Sequence, residues 1–125
     1  MTQKTETLFS HRVEKELKKR DIWYMKVWGN MYQKSGVPDI LACINGKFVG
    51  IELKTNTGKT SEIQKKNLSE IRNCGGIGIW VKESDEKRLV EVIDAMNNGV
   101  LKENIFLVLW VEEHSVIDYV PPQVV

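Results

Sequence analysis

At 125 residues the chain has the length of one domain, enough to bury about two thirds of its unfolded surface without disulfide or metal staples. A composition of 42% hydrophobic and 28% charged residues is ordinary for a globular protein, and no apolar run approaches the roughly 18 residues of a membrane span. The net charge of +1 hides an asymmetry: residues 1–60 carry 11 Lys/Arg against 6 Asp/Glu, residues 61–125 carry 7 against 11. A basic half suits phosphate binding, because Lys and Arg displace condensed counterions, although chance segregation on a solvated surface gives the same count. Cys43 and Cys74 are too few for a disulfide framework, and no Cys/His cluster has zinc spacing. Met1 to Thr7 is polar and lacks the apolar core of a secretory signal, so a reduced, intracellular setting is expected.

Taken in chain order, residues 7–20 are predicted helical, with Phe9, Val13 and Leu17 on one stripe. Ile22 to Val27 is a candidate strand, and Gly29 to Val37 a polar connection. Asp39 to Ile44 and Lys47 to Lys54 are strand-like runs flanking Asn45-Gly46, the strongest short-range signal for a two-residue hairpin. After a loop from Thr55 to Lys59, a helix is predicted from Ser61 to Asn73, stopped by Gly75-Gly76. Ile77 to Val81 is a short strand. Ser84 is expected to cap a helix carrying Leu89, Ile93 and Met96, which ends at Asn98-Gly99. The continuously apolar Ile105 to Val111 is expected to be a strand buried on both faces. The order α-β-β-β-α-β-α-β implies a single α/β domain with a mixed central sheet flanked by helices.

Register counting through the hairpin locates the chemistry. If Asn45-Gly46 is the whole loop, Ile44 pairs with Lys47, and Asp39 falls directly opposite Glu52, with Cβ atoms about 4.5–5.5 Å apart. Lys54, two residues on, projects from the same face as Glu52. Opposed carboxylates repel, which makes sense if a hard cation lies between them: Mg²⁺ takes oxygen ligands and is held by one or two carboxylates plus substrate phosphate. Lys54 could then hold phosphate or an attacking water. The bland alternative is an edge hairpin with exposed charges; against it, Ile51 and Leu53 alternate with Glu52 and Lys54 on a strand that reads as central.

Further candidates surround this pair. Glu6 heads the Phe9/Val13/Leu17 stripe, pointing inward as a third acid would, unless it simply answers the helix dipole. Glu14, about 80° round the helix, is the weaker candidate. Gln64 lies in the stripe of Ile63, Asn67 and Ile71 and is placed to contact substrate; equally, Ser61-x-x-Gln64 reads as a capping box. His11 and His114 lack partner spacing and are expected at the surface. Trp23, Trp28, Trp80 and Trp110 are expected in the core, with Trp28 and Tyr32 in the basic half alternatively stacking on bases.

Gly36-Val37-Pro38-Asp39 with its following strand, Glu52-Leu53-Lys54 on the return strand, and then Gln64 together resemble the PD-(D/E)XK nuclease superfamily. Within it they resemble most the VRR-NUC family, in its small stand-alone phage and bacterial form. The resemblance covers residues 6–82 and implies a restriction-endonuclease-like fold and Mg²⁺- or Mn²⁺-dependent hydrolysis of phosphodiester bonds in DNA, often branched DNA or Holliday junctions. Carried over by position, it implies metal binding by Asp39, Glu52, the Leu53 backbone carbonyl and an N-terminal glutamate best matched by Glu6. Lys54 would assist the water or transition state, and Gln64 would be the helix glutamine. Lys26, Lys34, Ser35 and Lys59 are the expected DNA contacts. A homodimer in the cytoplasm of a bacterial or phage-infected cell follows from the same likeness, with no membrane partner. The near-neutral charge departs from a tight DNA binder, and residues from Ile105 onward lie outside the likeness. A non-catalytic nucleic-acid-binding module, or a nuclease subunit needing a partner protein, are the alternative readings.

Overall fold

Phe9, Val13 and Leu17 recur at helical spacing, and each is fully buried, a contribution of roughly 1.5–3 kcal/mol per side chain. They anchor helix α1 (Thr2–Lys19) in the computed structural model, which describes residues 2–28 and 34–122. The connection predicted at Gly29 to Val37, with Tyr32, falls partly outside the described residues. Strands β1 (Trp23–Lys26), β2 (Ile40–Ile44) and β3 (Lys47–Lys54) follow, then helix α2 (Glu62–Asn73), strand β4 (Ile77–Lys82), helix α3 (Glu86–Asn97) and helix α4 (Ile105–Glu113). Short 3₁₀ turns at Glu83–Asp85 and Leu101–Glu103 precede the last two helices. No helix of the described residues is long and apolar enough to cross a membrane.

The four strands form one mixed sheet in the order β1-β2-β3-β4, antiparallel except for the parallel pair β3 and β4 that α2 connects. The chain is therefore an α/β unit, as expected. The hairpin is clean: Asn45 and Gly46 take φ of 49° and 79°, as a type I′ turn requires, and Ile44 pairs with Lys47. Pairing continues in the predicted register to Ile40 opposite Ile51. One face of the sheet carries Ile40, Ala42, Val49, Ile51, Leu53, Ile79 and Val81 into the core with α1 and α3. On the other face, α2 lies over β3 and β4, and Gly36 shows how closely it packs. Gly36 sits at φ 75°, and a Cβ there would come within 2.8 Å of side-chain atoms of Ile63 and Asn67 on α2. Glycine thus lets Pro38-Asp39 enter the sheet beneath this helix.

Two expectations fail. Residues 105–111 form α4, not a fifth strand. A short apolar run has no period that separates strand from helix. The deciding feature is Asn104, whose side chain accepts the Leu107 backbone N–H at 3.2 Å as an N-cap, while Leu107 and Val111, four apart, are buried. The helix leaves Ile105, Phe106 and Leu109 exposed. Instead of a strand, the segment after α4 covers the β4 edge: Trp80 N–H donates to His114 O at 3.0 Å, and Ile79 bridges Ser115. Ser84 also does not cap α3; it lies in the 3₁₀ turn, and its backbone N–H donates to Asn56 Oδ1 at 2.9 Å.

Candidate metal and phosphodiester site

Asp39 stands one residue before β2, where the ladder with β3 has ended. Its backbone carbonyl accepts the Val27 N–H at 2.8 Å, and its side-chain Oδ2 accepts the Leu53 N–H at 2.8 Å. The carboxylate therefore caps the end of the hairpin, next to the position opposite Glu52 that register counting assigns it. In an extended strand the N–H and C=O of one residue point to the same side, so the Leu53 carbonyl is directed to the β2 side of β3, as its N–H is.

Glu52 is the unusual group. On the sheet face covered by α2 it is only 2% exposed, yet it is a carboxylate. Oε2 accepts from Gln64 Nε2 at 2.6 Å and lies 3.1 Å from Lys54 Nζ, while Oε1 is buried with no hydrogen-bond partner. Burial, then the charge of Asp39, push its pKa up to about 7; the opposing pull of Lys54 is smaller, and Glu6 adds to the rise.

Gln64 forms the capping box and also turns toward the site, where its partners are Lys54 and Glu52. Its Oε1 accepts the Ser61 backbone N–H at 2.9 Å, while Gln64 N–H donates to Ser61 Oγ at 3.3 Å, completing the capping box. The same Oε1 accepts from Lys54 Nζ at 2.9 Å, and Nε2 serves Glu52. The box fixes the amide, and the amide holds Lys54 and Glu52 together. A comparison of the chain with protein-family models, curated proteins and solved structures finds no match.

Of the two helical acids, Glu6 belongs to this neighbourhood. Its pKa is raised, first by burial and then by Asp39, against pulls from Lys54 and Lys26. Glu14 instead accepts from Ser10 Oγ at 3.1 Å. Both line a cleft of about 270 Å³ beside α1, with His11, Lys26 and Trp28. Among the described residues no three Asp, Glu, His or Cys side chains are gathered into one cluster. Asp39 and Glu52 are the pair, and Glu6 is coupled to both through charge.

Among the expected DNA contacts, Lys26 Nζ lies 3.8 Å from Asp39 Oδ1 and 5.6 Å from the Trp28 ring centre, so it is a counterion at the site. Lys34 pairs with Glu70 at 3.9 Å, and the Ser35 carbonyl accepts from Asn67 Nδ2 at 2.9 Å, holding this segment on α2. Lys59 lies in a second cleft with Lys65, Trp80 and Lys82. Lys65, Trp80 and Lys82 were not among the expected contacts; the β3–β4 register sets Trp80 beside Glu52 and Lys82 beside Lys54.

The tryptophans divide differently from expectation. Trp23 and Trp28 are exposed at 63% and 70%, whereas Trp80 and Trp110 are half-buried. Trp23 alternates outward on a strand whose inward residue is Tyr24, which packs on the core. His11 is exposed as expected, but His114 is not a surface residue. It stacks on Trp110 at 4.0 Å between ring centres, its Nδ1 is 2.7 Å from the Trp110 carbonyl oxygen, and its Nε2 lies 3.3 Å from Asp85 Oδ2. The Trp110 and Trp80 rings against the imidazole account for that burial.

The donor set fits a hard divalent cation. Two carboxylates close enough to repel lie at a strand end, one retains an unpartnered buried oxygen, and the other is held by the Leu53 N–H. A bound cation would remove the cost of burying Glu52 as an anion.

Proposed function

We propose that this chain is a Mg²⁺- or Mn²⁺-dependent nuclease that hydrolyses phosphodiester bonds of DNA, with branched structures as preferred substrates. The observation that carries the reading is Glu52: a buried carboxylate with one oxygen orphaned, beside Asp39 and bracketed by Lys54 and Gln64. A purely structural site gains nothing from an unpaired buried acceptor, which costs about 1–3 kcal/mol.

Asp39 and Glu52 would hold the cation, with the Leu53 carbonyl and Glu6 the nearest further donors. When bound, the cation supplies charge neutralisation at a phosphate oxygen and lowers the pKa of a water. The remaining work falls to the chain's own groups. Lys54 Nζ, held by Gln64 Oε1 and Glu52 Oε2, has one hydrogen left to donate to a phosphate oxygen or to orient a water. Gln64 prevents Lys54 from swinging away and fixes the Glu52 rotamer, so the site is ordered before substrate arrives. Lys26 balances Asp39 and offers positive charge to the incoming strand. The proposal includes the homodimer, in which a two-fold would present two such sites to two strands of a junction.

The test is a cleavage panel of labelled junctions, flaps, splayed arms and linear duplex, each with Mg²⁺, Mn²⁺ or EDTA. Cutting that needs the metal and favours branched DNA is the expected result. Every substrate left intact with both metals would overturn the reading and favour the binding module or partner-dependent subunit.

A further inference from the structure

Three strands end on lysine at the same end of the sheet: Lys26 closes β1, Lys54 closes β3 and Lys82 closes β4, while β2 begins there, next to Asp39. At about 4.8 Å between strands, β1 and β4 are separated by roughly 14 Å, a distance of two or three nucleotides of extended strand. The Glu6/Lys26/Trp28 cleft opens on the β1 side, and a larger one of about 490 Å³ opens on the β4 side. The second cleft combines Lys59, Lys65 and Lys82 with the partly exposed Trp80 ring and Ser115. Lys59 and Lys82 make no ion pair among the described residues, and Lys65 reaches Glu62 at 3.5 Å on an exposed surface. The loop bearing Lys59 is tied down, with Gly58 N–H donating to Thr55 O at 3.0 Å and Asn56 Oδ1 accepting the Ser84 N–H. That tie joins the β3–α2 loop to the turn that follows Lys82, so the lysines are presented together.

We infer that the Lys59/Lys65/Lys82/Trp80 cleft is a binding site for a single nucleic-acid strand, taking the phosphates that lie beyond the scissile bond and stacking one base on Trp80. The inference rests on the proposed reading of the Asp39/Glu52 site for the direction of the strand, but its binding test does not need cutting. Lysines gathered in one cleft, two of them without an ion pair among the described residues, recognise a polyanion, and an aromatic face beside them selects bases over a bare phosphate surface. The strand would cross the sheet end from the Lys26 cleft, pass over Asp39 and Glu52, and leave along Lys82.

The experiment is fluorescence anisotropy of labelled single-stranded DNA and RNA of equal length against salt, with EDTA present, using the full chain. Lys59→Ala/Lys82→Ala should flatten the slope of log K against log[salt] by about 1.4, two contacts at about 0.7 each for a single strand. Trp80→Phe should weaken binding several-fold at unchanged slope, and Lys18→Ala, on the outer end of α1, should change neither. Thermal melting of each variant separates lost binding from lost folding. An unchanged slope and affinity in the folded Lys59→Ala/Lys82→Ala variant would overturn the cleft. Wild-type protein that binds both strands but cuts nothing with Mn²⁺ would defeat the nuclease reading while the slope still decides this one. DNA and RNA responding alike supports recognition through phosphates and base faces; a slope change on one alone assigns the cleft to that nucleic acid.

Discussion

Glu52 is where burial, charge and function compete most directly. Its pKa of about 7 exceeds the ordinary carboxylate value of 4.5, because burial and Asp39 outweigh Lys54, with Glu6 adding to the rise. A raised carboxylate binds its proton more tightly folded than unfolded. Its contribution to stability is therefore complete below about pH 4.5 and is lost as pH rises to about 7, at up to ~1.4 kcal/mol per pH unit and about 3 kcal/mol in all. Denaturant melts of the metal-free chain should show this decline, and Glu52→Gln should abolish it, leaving the variant more stable than wild type at pH 8. Mn²⁺ should raise the wild-type Tm at pH 8 and much less at pH 6, where a proton occupies the carboxylate. A Tm gain equal at both pH values would contradict the assignment. Gln64 makes a second test. Ser61→Ala should cost about 1 kcal/mol as a lost cap and leave Lys54 in place. Gln64→Ala should cost a similar amount and also reduce cutting at least tenfold, since Lys54 loses its anchor.

At the scale of elements, what was legible depended on how local the signal was. The Asn45-Gly46 hairpin and its register were readable because a two-residue turn determines which residues face each other. The count stopped one residue short, since Asp39 leaves the ladder to bind the Leu53 N–H, a contact that pairing rules do not contain. The capping box at Ser61 and Gln64 was legible, and so was Gln64 as a site candidate, but not that one amide would bridge Lys54 and Glu52, because that depends on α2 lying over β3. The run 105–111 was misread since its cap, Asn104, is the only local mark of a helix and the tertiary contacts of Leu107 and Val111 decide the rest. Gly36 was visible as part of Gly36-Val37-Pro38-Asp39, but its reason is the approach of α2. Gly36→Ala should destabilise by about 1–3 kcal/mol through its φ of 75° and the crowding at Ile63 and Asn67. It should also weaken Mn²⁺ binding by moving Asp39. Calorimetric titration of the folded variant checks this, and unaltered affinity would show that the segment does not position the carboxylate.

Across the whole molecule, the near-neutral net charge is compatible with nucleic-acid binding because the charge is placed rather than abundant. Sequence halves describe it poorly: Lys65 and Lys82 come from the acidic half yet share a cleft with Lys59 from the basic one. Sheet topology does the sorting, by ending β1, β3 and β4 at the edge where β2 begins. The same topology brings Glu6 from α1, Asp39 before β2, Glu52 from β3 and Gln64 from α2 to one end of the sheet, across 58 residues of sequence from first to last. If this end of the sheet cuts DNA with a cation held by Asp39 and Glu52, removing either carboxylate should stop the chemistry. The most direct measurement is the single-turnover rate of cutting of one branched DNA with Mn²⁺ by wild type, Glu52→Gln and Asp39→Asn. Metal-dependent cutting by wild type is expected, with a loss of at least about 100-fold in both variants and DNA binding retained. Undiminished cutting by either folded variant, or none by wild type, would contradict this expectation.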